Sequence, residues 1–445
     1  IMVKHNRDLF GDFQFTNWGN AFQMLEEALA YIRLYGLPKA YILIDEYDNF
    51  TNTILSTYGT EFYRKATHGE GFIRGFFNVI KSATTGTGAA LERLFITGVS
   101  PVTMDDVTSG FNIGTNITND SWFNDLVGFS ENELREMLEY YKEQGVLQES
   151  IDEIVAMMKP NYDNYCFSED TLEQCMFNSD MALYFLKSFV LHHKKPKEIV
   201  DPNIRTDFNK LAYLIKLDHG LGENFSVIKE IAEQGEIITD IVTHFSALEM
   251  TDPSNFKSLL FYFGLLSIKG VDMVGRPILH VPNLVVREQL FNFLIQGYIK
   301  HDIFKIDMNR MSALFENMAF RGDWKPLFDF IANAVREQSR IREYIEGEAH
   351  IKGFLLAYLG MYRYYQLYPE YELNKGFADF FFKPSLSVPV LPPFTYLLEV
   401  KYAKAGASEK EIRALADEAR EQLLRYSEDE LVAEAKAKGE PVSYT

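Results

Sequence analysis

Tyr41–Ile44 is an apolar run that ends on two acids, Asp45 and Glu46, and a second apolar run, Leu94–Phe95–Ile96, ends on Thr97 and Gly98. Apolar runs this short read as strands buried on both faces. Between them Glu61–Lys81 carries a helical pattern, and ahead of them Phe22, Leu25, Leu29 and Ile32 recur at helical spacing within Ala21–Leu34. Strand, helix, strand is the crossover order of a parallel sheet with flanking helices. This confines the first part of the chain to an α/β architecture.

The rest of the sequence changes character twice. From Phe129 to about Arg340 the pattern is mostly helical. Ser130 stands three residues before Glu133, a capping signal for a helix through Glu143. Further helices are expected over Leu172–His192, Phe208–Leu217, Val227–Leu248 and Ser254–Ser267, with short strands at Asn161–Ser168 and Pro277–Val281. Beyond that, a helix near Glu346–Tyr365 leads to strand-like Gly376–Lys383, a Pro-rich loop and a strand over Phe394–Tyr402. A last helix starts near Glu409, behind a second Ser-x-x-Glu pair, Ser408 and Glu411. At 445 residues the chain has room for two or three domains. The divisions fall at residues 1–129, 130–335 and 336–445.

Composition excludes several classes. Hydrophobic residues at 47% and charged ones at 24% are those of a globular protein, not a disordered one. Apolar runs such as Leu259–Leu266 are too short for a membrane span, and Ile1–Phe10 has no signal core. With only Cys166 and Cys175, no disulfide framework or zinc-ligand spacing exists, so a cytoplasmic setting is expected. The net charge of −19 argues against broad, non-specific nucleic-acid affinity. Most of that acidity lies upstream, and residues 340–445 carry only about −3, which makes the C-terminal part the place for a polyanion to dock.

Chemistry concentrates there. In Leu397–Leu398–Glu399–Val400–Lys401 an acid and a lysine two apart share one face of a strand. Burying them at the end of an apolar strand is costly unless each has a partner. Asp379, on the preceding apolar strand, can meet Glu399 across the sheet. Glu348 lies on the apolar stripe of its own helix with Ile351, Leu355 and Leu359, and Gln422 lies one turn before Tyr426. Two carboxylates and a lysine suit phosphodiester hydrolysis, with a divalent metal activating water and the lysine stabilising the transition state. Two converging carboxylates also repel, so neutralising Asp379 is expected to leave the metal-free domain as stable or more so. The plainer reading is a surface ion pair, Glu399 with Lys401, and a turn residue, Asp379.

The order helix Glu, strand Asp, strand Glu-x-Lys, helix Gln resembles the PD-(D/E)xK nuclease superfamily. More closely, Gly347–Glu348, Gly376–Phe377–Ala378–Asp379, Leu397–Lys401 and Ala419–Tyr426 resemble the nuclease-like domain that ends many bacterial AAA-ATPase-like proteins. The resemblance implies metal ligation by Asp379 and Glu399, a catalytic role for Lys401, and supporting roles for Glu348 and Gln422. Ala378 departs from it, standing where the motif's Pro is found.

The N-terminal segments Leu43–Asp48, Phe95–Pro101, Val127–Glu133, Asn161–Ser168 and His280–Arg287 resemble the same AAA-ATPase-like family. In nucleoside triphosphatases a strand-end Asp such as Asp45 holds magnesium, the following Glu, here Glu46, polarises water, and Thr97 stands near where a phosphate sensor would. No G-x-x-x-x-G-K-[ST] phosphate loop occurs, and Gly69, Gly71 and Gly75 do not replace it. Because the chain begins at Ile1, too close to that strand to include the loop, truncation of a longer protein is expected. True loss of the loop is the alternative.

The expected fold is therefore α/β: a partial P-loop-type parallel sheet, a helical middle region, and a C-terminal α/β restriction-endonuclease-like domain. The expected function is Mg²⁺- or Mn²⁺-dependent cleavage of nucleic acid, with DNA as first expectation. In the intact protein it would be gated by ATP. No membrane partner is expected, and a homo-oligomer is. The alternative is a non-catalytic ATPase-like switch or interaction scaffold.

Overall fold

A computed structural model describes the chain except residues 1, 17–19, 70, 87, 100–113, 195, 197–198, 202–222, 247–248, 251, 339–346, 374–375, 386–387, 389, 405, 431, 433–441 and 445. The fold is mixed α/β. It divides into two compact units, Ile1–Phe123 with Asp240–Gly264, and Asn124–Thr239 with Leu265–Thr445.

In the first unit β1 (Ala40–Ile44) and β2 (Leu91–Ile96) pair in parallel, Tyr41 opposite Arg93 through Ile44 opposite Ile96. The helices Ala21–Tyr35 and Phe72–Thr84 pack against the pair. Ala28, Leu29 and Ile32 from the first and Ile80 and Ala83 from the second meet Leu91 in one apolar cluster. The crossover expected as one helix over Glu61–Lys81 is instead two, Asn49–Thr67 and Phe72–Thr84. Gly69 takes a left-handed φ of 59° at the break. A Cβ on Gly71 would lie 2.4 Å from the Ala66 carbonyl oxygen, so this return of the chain requires glycine.

The second unit holds the helical middle region and the C-terminal segment together. The helix Glu131–Glu143 starts at the expected capping box, Ser130 Oγ accepting from Glu133 N while Glu133 Oε2 accepts from Ser130 N. With Ile151–Tyr162 and Ser179–His192 it builds a core from Leu134, Leu138, Ile154, Met158, Phe185 and Phe189. A small antiparallel sheet follows, in the order β3 (Glu236–Ile238), β5 (Pro277–His280), β4 (Ser267–Val271).

Several expected boundaries move. The helix expected over Val227–Leu248 ends at Gln234, because Gly235 turns left-handed (φ 76°) and the chain enters β3. That expected over Ser254–Ser267 runs over Pro253–Tyr262, stopping before left-handed Gly264. The one expected from Leu172 starts only after Asn178, whose side chain caps it at Met181 N. Asn161–Ser168 is not a strand: Asn161 and Tyr162 close a helix, and only Tyr165 bridges to Met176. Phe208–Leu217 lies outside the described residues, as do Ser100 and Pro101.

The C-terminal sheet runs β6 (Tyr365–Leu373), β7 (Gly376–Pro384), β8 (Thr395–Leu398), β9 (Val442–Tyr444), antiparallel except for the parallel β8–β9 pair. Helices flank it. Tyr396 donates from its hydroxyl to the Met318 carbonyl of the Met308–Arg321 helix at 2.6 Å. Ala378, Phe381 and Leu397 join Leu423 and Tyr426 of the Glu409–Tyr426 helix in an apolar cluster. At about 1.5–3 kcal/mol per large side chain buried, that cluster fixes β7 and β8 beneath the last helix.

Candidate active site

The register of the C-terminal sheet aligns three acids. Pro369 pairs with Phe380 and Phe380 with Leu398, which sets Glu370 of β6 and Glu399 just beyond β8 on either side of Asp379. Three neighbouring carboxylates repel one another, and two of them are nearly sealed: the side chains of Asp379 and Glu399 are 6% and 4% exposed. The backbone and two lysines compensate.

Asp379 Oδ2 accepts from Val400 N at 2.6 Å, and Asp379 N donates to Glu399 Oε2 at 3.4 Å. The Val400 N–H thus goes to a side chain instead of a β7 carbonyl. This is why β8 stops at Leu398, and Glu399 and Lys401 stand beyond it rather than inside the expected strand Phe394–Tyr402. Lys401 Nζ lies 3.3 Å from both Glu399 Oε1 and Glu418 Oε1, the latter on the Glu409–Tyr426 helix. That helix begins at the expected Ser408–Glu411 capping box.

On the other side stands Lys352, one turn along the Glu348–Gly360 helix from Glu348. Its ammonium is ion-paired with Asp379 Oδ1, lies 2.8 Å from Glu370 Oε1, and lies 3.3 Å from Glu348 Oε1. Glu370 reaches it from a left-handed backbone (φ 45°) in the middle of β6, a conformation that costs a non-glycine residue about 1–3 kcal/mol. Asp379, Glu399 and Lys401 are therefore brought together as expected, and Glu348 joins them through Lys352. Gln422 sits one turn after Glu418, its Oε1 buried with no hydrogen-bond partner among the described residues. Sequence reasoning missed Lys352, Glu370 and Glu418. The Glu348–Lys352 spacing was a readable helical ion pair, but nothing in the sequence placed it against Asp379.

The electrostatics follow this packing. Burial, and then the charge of Asp379, push the Glu399 carboxyl above its ordinary value, with Lys401 opposing. Burial works against the charge of both lysines, yet hydrogen bonds to Asp379 and Glu370 for Lys352, and to Glu399 and Glu418 for Lys401, hold each above the usual lysine range. Tyr426 is raised by burial and then by Glu399. Its hydroxyl lies 3.1 Å from where a Cβ on Gly376 would sit, a position with φ 141°.

Among the described residues no group of three or more His, Cys, Asp or Glu is arranged to hold a metal ion. Asp379 and Glu399 supply two hard carboxylates, one with its charge disfavoured by the other. Such a pair fits Mg²⁺ or Mn²⁺, which are held by one or two carboxylates with water and substrate phosphate completing the shell.

In the first unit Thr97 Oγ1 donates to Asp45 Oδ1 at 2.6 Å, just beyond the C-terminal ends of the parallel strands. Thr97 N donates to the Ile44 carbonyl and Tyr47 N to that of Thr97, so the strands stay tied past their ends. Glu46 does not share that contact: it is left-handed (φ 51°), with Oε2 accepting from Asn49 Nδ2 at 2.8 Å. No helix among the described residues is long and apolar enough to cross a membrane.

Residues 346–442 match the family model of the PD-(D/E)XK nuclease superfamily, and residues 3–108 match that of a predicted AAA-ATPase. No curated protein and no solved structure matches the chain. The site built on β7 and β8 lies within the first of these matches and the Asp45–Thr97 pair within the second: this chain carries an AAA-ATPase-like domain and a PD-(D/E)XK nuclease superfamily domain.

Proposed function

We propose that the C-terminal domain hydrolyses phosphodiester bonds of nucleic acid, DNA first among them, with Mg²⁺ or Mn²⁺ as cofactor. The observation that carries this reading is the convergence of Asp379, Glu399 and Lys401 at the end of two apolar strands. Asp379 and Glu399 would hold the ion, which when bound lowers the pKa of water and neutralises charge on phosphate. Lys401, anchored between Glu399 and Glu418, presents a cation to the charge that develops on the scissile phosphate. Val400 N fixes the rotamer of Asp379. Glu348 acts through Lys352, and Gln422, with its orphaned carboxamide oxygen beside this helix face, is a second contact for water or substrate.

Nucleotide at the AAA-ATPase-like domain is proposed to gate this activity, with Asp45 and Thr97 as its contacts. Their shared hydrogen bond at the strand ends supports this, since ligands of parallel α/β sheets bind there. The test is cleavage of single- and double-stranded DNA and RNA by the full chain with Mn²⁺, Mg²⁺ or EDTA, beside Asp379→Asn. Metal-dependent cleavage that Asp379→Asn abolishes supports the reading. Metal binding with no cleavage of any substrate favours the scaffold.

A further inference from the structure

The cation that Asp379 holds in this structure is one of the protein's own. Lys352 Nζ is paired with Asp379 Oδ1 while also reaching Glu370 and Glu348. These three carboxylates are graded in exposure, 6% for Asp379, 37% for Glu348 and 59% for Glu370. A lysine side chain that leaves Asp379 therefore still meets negative charge, on the side that faces water. The Lys352 side chain is itself 20% exposed, so its ammonium reaches water as well as Asp379. The strained backbone of Glu370 keeps a second carboxylate within its reach. On the far side of Asp379, Oδ2 is committed to Val400 N, so Oδ1 is the oxygen over which two cations would compete.

We infer that Lys352 is a built-in competitor of the metal: it neutralises Asp379 in the metal-free protein and withdraws onto Glu348 and Glu370 when a divalent cation binds Asp379 and Glu399. The inference rests on the proposed metal-binding role of those two acids and adds a regulator to it. A monovalent ammonium and a divalent ion in contact with one carboxylate oxygen repel each other strongly at short range in a partly buried site. Metal affinity is therefore lower than the two carboxylates alone would give. In return, Asp379 is never left as an uncompensated buried charge.

The test uses the full metal-depleted chain and Mn²⁺ itself as probe, with free Mn²⁺ read by electron paramagnetic resonance. Lys352→Met is expected to bind the Asp379-dependent Mn²⁺ at least about tenfold more tightly than wild type, and Lys352→Arg, which keeps the charge, to stay near wild type. Equal or weaker binding by Lys352→Met overturns the inference, because a lysine that organised the carboxylates would lose affinity on removal. A second measurement needs no variant: acetic anhydride labelling of wild type, read by mass spectrometry, should modify Lys352 several-fold faster in saturating Mg²⁺ than in EDTA, relative to Lys410 as reference. Unchanged labelling overturns the inference even if Lys352→Met fails to fold. If neither wild type nor Lys352→Met binds Mn²⁺ in a way that Asp379→Asn abolishes, the metal-binding role of the acids is itself wrong and the competitor role falls with it.

Discussion

Neutralising Asp379 and neutralising Glu399 in the metal-free protein should have opposite effects, although sequence alone predicts relief of repulsion on neutralising Asp379. Asp379 spends one oxygen on Lys352 and the other on Val400 N, at 6% exposure. An Asn has one carbonyl oxygen for two donors, and its amide must face either an ammonium or an N–H. Breaking a buried ion pair costs about 3–5 kcal/mol when the survivor is stranded. Lys352 keeps Glu348 and Glu370, so the expected cost of Asp379→Asn is about 2 kcal/mol. Glu399 is the reverse case. Its folded pKa lies above the ordinary 4.5, burial being the larger cause and Asp379 the next. An acid raised on folding holds its proton better in the native state, so its penalty is absent below the unfolded pKa and grows as pH rises through the folded pKa. Glu399→Gln removes that penalty, and Lys401 retains Glu418. It should be neutral to stabilising at pH 8, with the gain gone at pH 4. With two compact units, a single unfolding curve is not a two-state measurement. Amide hydrogen exchange of β7 and β8 peptides in EDTA reads the opening free energy locally. Equal protection in both variants, or the reverse order, refutes the assignment of Lys352 to Asp379.

Three other expectations follow from the same geometry. Lys401→Ala should keep Asp379-dependent Mn²⁺ binding but lose about 10²-fold or more in cleavage rate, read by Mn²⁺ titration and gel assay, since Lys401 is not a ligand here. With no phosphate loop in its sequence, the chain should hydrolyse ATP no faster than an Asp45→Ala/Glu46→Ala control; magnesium-dependent turnover lost in that control would refute this. His280 on β5 is pushed down to about 4 by burial and then by Lys269, so its neutral form is favoured by folding. That contribution is complete above pH 6.5 and is lost as pH falls toward 4, about 2 kcal/mol between pH 7 and pH 5. Hydrogen exchange in β3–β5 should show the loss in wild type and not in His280→Gln.

What the sequence revealed was local. The Ser130 and Ser408 caps were readable because a capping box spans four residues. β1, β2, β5 and β7 were readable because each is a compact apolar run. β6 was not: Pro369 sits in its middle, and a proline demotes a run to loop in any reading by pattern. The length of β8 was hidden for a different reason. Its end is set by a side chain twenty-one residues away, Asp379, capturing the Val400 N–H. Lys352 was hidden likewise, as its partners Glu370 and Asp379 come from strands whose register only the folded sheet defines. The sequence located Asp379, Glu399 and Lys401 and missed Lys352, Glu370 and Glu418, the charged residues packed around them.

The two lysines divide the work of building this sheet end. Apolar residues hold the sheet, Ala378, Phe381 and Leu397 on the side of the last helix, and Asp379 and Glu399 directly follow buried Ala378 and Leu398, so burial fixes where the strands lie without orienting what they carry. Orientation comes from the ion pairs, and each lysine ties separate elements together: Lys352 joins its own helix to β6 and β7, while Lys401 joins the end of β8 to the last helix. Asp379 and Glu399 stand between these two clamps, joined to each other's segments by hydrogen bonds from backbone N–H groups and coupled by their charges. A change in either lysine thus alters one carboxylate first and leaves the other's ion pairs intact. On the proposed metal-dependent reading, single lysine substitutions are therefore expected to separate metal binding from cleavage, and substitutions of the carboxylates to lose both.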